Sequence, residues 1–295
     1  MQVSTEGHDY WRNQSRRVDP PYDAMPATMN LQIDLPAGRM IWERSFTFPG
    51  SSPNEGRLVI GGASPFHLAL RQRVNYPQPG RTIESMRGVL DRLPHLVLLN
   101  MLDNAAGLRW LGRMRLSSGA DVEVIGTATS AGPITLGIDP DTKQLRAMLG
   151  VQADPLSGDA STETEFLDYA KSGAILVPGR RVGRVAGEIS EDVRYTAASL
   201  INEIPDSALV PPPGYSAPSW RAAGEPVREL ASGVWAIQES GFWSLAVAFT
   251  DYLLVAEAPS SGVPAILARL ATLAPGKPIR YVTPTHHHDD HAGGV

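Results

Sequence analysis

A chain of 295 residues is long enough for about two domains, each with a core of its own, and its 42% hydrophobic and 19% charged content is that of a globular protein. The 26 basic and 31 acidic residues are interspersed, for a net charge of −5, so no basic stripe is available to track a phosphate backbone and nucleic acid is not an expected partner. The absence of cysteine excludes disulfides, thiolate ligands and a cysteine nucleophile, so any metal must be held by His and carboxylate.

The chain opens on MQVSTEGHDYWRNQSRR, where no charged stretch precedes an apolar run. No secretory leader is expected, and no stretch approaches the roughly 18 apolar residues that a transmembrane helix needs. The 28 Gly and 25 Pro cut the first two-thirds into short segments, which favours strands and turns. Strand-like runs fall at Met29–Leu35, Met40–Phe48, Asp121–Thr129, Ile134–Ile138 and Val193–Leu200. Between them, from about Thr82 to Leu102, Met86, Val89, Leu90, Leu93, Val97 and Met101 return at helical spacing, and Pro94 breaks the helix in two. A large curved antiparallel sheet with helices packed on it is the expected fold of residues 1–216.

Three consecutive prolines and a Gly within Pro205–Pro226 cannot propagate helix or central strand, which places a linker there and a domain boundary near residue 217. Beyond it, Val234–Gln238, Leu245–Phe249 and Leu253–Glu257 read as a meander of strands. Ile266, Leu267, Leu270 and Leu273 then share a helical face, with Pro264 in the first turn and Pro275–Gly276 as the stop. A last strand, Ile279–Thr283, delivers the chain into THHHDDHAGGV. The order β-β-β-α-β puts this cluster at the carboxyl end of a strand, where sheets flanked by helices commonly bind ligands.

Four of the seven histidines, His286, His287, His288 and His291, lie within six residues, together with Asp289 and Asp290. Residues two apart in an extended segment point the same way, so His286 and His288 can face one ion while His287 turns aside. Where the chain curls towards a helix, Asp290 and His291 can face a second. Imidazole and carboxylate suit zinc, and manganese or iron with less preference. Gly293 and Gly294 allow the backbone to approach the metals. An affinity-tag remnant is an uninterrupted run, unlike this cluster; a solvated polar loop without metal is the remaining alternative.

The H-x-H-x-D-H spacing followed by A-G-G resembles the signature of the metallo-β-lactamase superfamily, and the text from Val227 to Val295 resembles that family's opening strands in order and length. The resemblance implies an incomplete αββα sandwich over 217–295 and hence an α+β fold class for the whole. It implies a zinc-dependent hydrolase of a small-molecule ester, lactone, amide or phosphoester. His286 and His288 would bind the first of two zinc ions, Asp290 and His291 the second, and Asp290 would serve catalysis by orienting a nucleophilic water. The family draws further ligands from the second half of its fold, so this chain is expected to carry a half-encoded site and to be catalytically poor. Glu257 stands where the family often has Asp.

The text TETEFLDYAKSGAILVPGRRVGRVAGEIS…INEIPDSALVPPPGY resembles the end of a lipoprotein-carrier-like half-barrel, which some bacterial hydrolases of this superfamily carry ahead of the catalytic domain. It implies a lipid as partner of the N-terminal domain. The alternative function is therefore a lipid- or apolar-ligand-binding protein with a vestigial metal site. His8, His67 and His95 stand singly and are expected to be ordinary surface or core residues. The pairs Glu163/Glu165 and Glu191/Asp192 are expected to be solvated, and Ser64, Ser172 and Ser244 lack a nucleophile-elbow context.

Overall fold

Strand Met25–Asp34 alternates buried and exposed residues along nearly its whole length, the period-two pattern of a sheet with one face in a core. The structure is a computed structural model that describes residues 1–90, 93–103, 105–129, 132–154, 157–218, 226–239 and 241–294. The chain divides into two units, one of residues 1–10 and 23–218, the other of Trp11–Tyr22 and 219–295.

Among the described residues of the first unit, thirteen strands form one antiparallel sheet. Next to its middle strand, Glu188–Ser199, lies the N-terminal strand Gln2–Asp9, which pairs with it on one side and with Met25–Asp34 on the other. From there the sheet runs outward through antiparallel neighbours to Val74–Pro77 at one edge and Arg109–Arg115 at the other. The helical interval is broken as Pro94 requires, into Arg87–Leu90 and Pro94–Asp103. Its periodic residues are the ones that pack on the sheet: Met86, Val89 and Leu93 against Val3, Leu31 and Met40, and Val97 and Met101 against Leu136, Leu145 and Phe166.

The expected linker over Pro205–Pro226 lies partly outside the described residues. Its part up to Pro218 packs on the first unit, where Leu209 and the preceding Ile204 are buried against Val59, Phe66 and Leu68, and Ser216 bridges in parallel to Val74. The paired acidic residues are not solvated either. Glu165 is buried and accepts hydrogen bonds from Ser118, Arg146 and Arg184. Asp192 takes a two-pronged bond from Arg180, and Glu191 one from the fully buried Arg181.

The described residues of the second unit include a five-stranded sheet. Val227–Ala231, Val234–Glu239, Phe242–Ala248 and Leu253–Ala256 form an antiparallel meander, and Ile279–Thr283 joins parallel to the last of these after the helix Val263–Leu273. The helix buries Ile266 and Leu270 on Trp235, Ile237, Ala246 and Val255. Leu267, expected on the same face, is exposed, since one residue turns the helix by about 100°.

The expected α+β class with an αββα sandwich is overturned. The chain is mostly β, dominated by the large antiparallel sheet, and the described residues of the second unit make one sheet with a helix on one face. The reason is that a sandwich needs a second sheet over the opposite face. Here that face presents Trp243, Leu245 and Tyr281 to solvent. Among the described residues, no helix is long and apolar enough to cross a membrane.

The Arg181–Glu191 pair gives a test of the first unit's core. Removing one partner of a buried ion pair strands the other charge, so Arg181→Met is expected to lower stability by about 3–5 kcal/mol, read as a shift of the urea unfolding midpoint.

Candidate metal centre

The parallel pairing of Leu253–Ala256 with Ile279–Thr283 brings the carboxyl ends of two strands side by side, with Glu257 following the first strand and the His-rich loop the second. The loop is then pinned to the segment after Glu257. Ala258 N–H donates to the His291 carbonyl at 2.9 Å, and Gly294 N–H donates to the Ala258 carbonyl at 2.8 Å. This is where the glycines are needed. A Cβ on Gly294 would lie 2.3 Å from Val263 Cγ2 and 2.8 Å from the Ala258 carbonyl, and one on Gly293 would lie 2.1 Å from Asp289 Oδ1. The close approach these two glycines make is to Ala258, Val263 and Asp289.

Past Thr283 the chain bends instead of staying extended, and Asp289–Ala292 form one helical turn with His288 as its N-cap residue. The rings of the expected ligands nevertheless meet. The His286 ring centroid lies 4.5 Å from that of His288 and 4.1 Å from that of His291. His291 Nε2 is 3.8 Å from Asp290 Oδ2. His287 does not turn aside: its ring lies 4.9 Å from His288.

Hydrogen bonds set the protons on these rings. Glu257, a non-glycine residue in the left-handed region at φ 65°, accepts from the Thr285 amide at 2.6 Å with Oε1 and from His291 Nδ1–H with Oε2. A carboxylate and a carbonyl can only accept. His291 therefore carries a proton on Nδ1, and the lone pair of its neutral form is on Nε2. His288 and His287 both donate Nε2–H to the Ser15 carbonyl, at 3.2 and 2.7 Å, so the lone pair of the neutral form of each is on Nδ1. The Gln14 side-chain amide donates to Asp290 Oδ1 at 2.8 Å. His286 Nδ1 is 3.1 Å from the Thr285 hydroxyl, which can donate or accept.

Among the described residues no three His, Asp or Glu side chains already stand around a common point as metal ligands; the imidazoles meet edge-on or tilted. The donor chemistry fits a divalent ion of zinc's class all the same. It comprises imidazole lone pairs with oriented partners, an adjacent carboxylate and no sulfur.

Gln14, Ser15 and Thr285 were invisible to sequence reasoning as members of this site. Nothing in the local sequence links Ser15 to His288 across 273 positions. Glu257 alone carried a signal, by its place after the strand.

No family model matches the chain, the metallo-β-lactamase superfamily included, and no curated protein matches it. The resemblance to that superfamily therefore rests on the motif residues. A solved structure of a LolA superfamily protein from Nitrosomonas europaea is a distant structural neighbour at 11% identity and a TM-score of 0.42, over 71% of this chain and 89% of that one.

Two ionisations bear on the site. Burial pushes the Glu257 carboxyl up, but the hydrogen bonds from Thr285 and His291 outweigh it and leave its pKa below the ordinary value. Burial, with the neighbouring His286 and His287, holds His288 below the ordinary imidazole range against the opposing pull of the Ser15 carbonyl and Asp290. The folded protein thus binds fewer protons at His288 than the unfolded chain between its lowered pKa and about 6.5. The stability this confers is complete above about 6.5 and is lost as pH falls through that window. The melting temperature of the second unit should therefore fall between about pH 7.5 and pH 5.5, a slope that His288→Gln flattens. Equal slopes in the two proteins would count against the assignment.

Proposed function

We infer that the loop after Ile279–Thr283 holds a divalent metal, zinc by preference over manganese or iron, through His286, His288, Asp290 and His291. On this reading it is the metal-binding part of a hydrolase acting on small-molecule esters, lactones, amides or phosphoesters. The observation that carries it is the orientation of two imidazoles by acceptor-only partners, Ser15 for His288 and Glu257 for His291, which places a proton on Nε2 of the first and on Nδ1 of the second and leaves the other nitrogen of each ring for a metal. Neutral imidazole with its other nitrogen held by a carbonyl or carboxylate is the state in which histidine ligates metals. When bound, zinc supplies Lewis acidity to a carbonyl or phosphoryl oxygen. Asp290, with Oδ1 engaged by Gln14 and Oδ2 towards His291, is the group that would orient a water for attack.

Equilibrium dialysis against zinc tests this. Uptake by the whole chain, weakened roughly tenfold or more by His288→Ala and by Asp290→Asn, is the expected result. No uptake by the unmodified chain would remove the reading.

A separate observation favours a second capacity in the first unit. A cavity of about 520 Å³ opens there, walled mainly by apolar side chains including Met1, Ile33, Leu96, Leu99, Leu102 and Ile175. Leu99 and Leu102 are exposed on the helix and, with Leu98, form a contiguous apolar wall of the cavity. His95, which also lines it, donates Nε2–H to the Leu176 carbonyl, and burial lowers its pKa and favours the neutral ring. A lipid or other apolar molecule is the occupant this lining suits. A fluorescent fatty-acid probe is expected to bind the chain and to lose roughly tenfold or more in affinity with Leu99→Glu. Equal binding by the two proteins would place the probe elsewhere.

A further inference from the structure

The segment Trp11–Tyr22 is continuous in sequence with strands of the first unit, yet it belongs with the second. One turn of 3-10 helix, Arg12–Gln14, precedes Ser15, which is almost fully buried. Two successive residues then engage the His-rich loop. The Gln14 side-chain amide donates to Asp290 Oδ1 at 2.8 Å, and the Ser15 carbonyl accepts from His288 Nε2–H at 3.2 Å and His287 Nε2–H at 2.7 Å. A carbonyl oxygen has two lone pairs and so can serve both rings at once.

We propose that Gln14–Ser15 is a positioning strap for the metal site, which commits His288 to offer Nδ1 and Asp290 to offer Oδ2. The inference rests on the reading of His286, His288, Asp290 and His291 as metal ligands, and it adds two residues that contact no metal themselves. The chemistry follows from the partners. An imidazole whose Nε2 proton is held by a carbonyl can present only Nδ1. A carboxylate with one oxygen bound to an amide presents the other. The side chain that holds the opposite flank is Glu257, which commits His291 to Nε2 in the same way. The two flanks thus leave His288 and His291 with different nitrogens open, and the strap supplies the half of this arrangement that Glu257 cannot reach.

Gln14→Ala removes the strap's side-chain anchor and leaves every proposed ligand in place. Two readouts on the whole chain test it. Long-range proton–nitrogen NMR of the metal-free protein reads the imidazole tautomers directly, and His288 is expected as the Nε2–H form, with that bias reduced in Gln14→Ala. Zinc affinity, measured with zinc alone, is expected to fall about 10–100-fold in Gln14→Ala, the range found when a ligand's hydrogen-bond partner is removed. An Nδ1–H tautomer at His288 in the unmodified chain overturns the proposal without reference to any variant's folding. Zinc uptake by the unmodified chain with equal affinity in Gln14→Ala overturns the strap and spares the metal reading. Failure of the unmodified chain to take up zinc overturns the metal reading, and the strap with it.

Discussion

The parallel pairing of Leu253–Ala256 with Ile279–Thr283 is the constraint on which the His-rich loop depends. It sets Glu257 beside Thr285, and Ala258 beside His291 and Gly294, so a loop that has no regular structure before Asp289 is held by backbone hydrogen bonds on one side and a carboxylate on the other. The pairing is in turn secured by apolar packing. Leu253 and Val255 are buried under Ile266 and Leu270 of the intervening helix, so the same hydrophobic contact that closes the crossover also fixes where Glu257 points.

Polar groups show a second regularity. In both units, the buried or half-buried charges are hydrogen-bonded to specific partners, as burial of a charge demands. In the first unit Glu165 and Arg181 are satisfied by arginines, by Ser118, and by Glu191 and Tyr195 on neighbouring strands. In the second, Asp290 and three histidines are satisfied by Gln14, Ser15 and Glu257. The difference is chemical. The first set consists of full charges neutralising one another across a sheet. The second turns one ring nitrogen of each histidine to a carbonyl or carboxylate acceptor.

The apolar cavity belongs to the first unit and the His-rich loop to the second. Each unit accordingly has a chemistry of its own, an apolar lining in one and imidazoles with carboxylates in the other.

Much was determined by sequence alone. The helical periodicity of Met86, Val89, Leu93, Val97 and Met101 names the residues that pack on the first sheet, and Pro94 marks the break between the two helices. The bounds of Val263–Leu273 and Ile279–Thr283 follow from Pro264, from Pro275–Gly276 and from β-branched runs, all local signals. Candidate ligands are equally legible, since four histidines and two aspartates in six positions need no fold to be noticed. Only the tertiary structure decided that Glu163, Glu165, Glu191 and Asp192 are paired rather than solvated, that Gly294 serves the approach to Ala258, and that Gln14 and Ser15 stand against the His-rich loop. These depend on which strands and segments become neighbours in space. Periodicity encodes the face a residue presents, whereas a hydrogen bond spanning 273 positions exists only once the chain has folded.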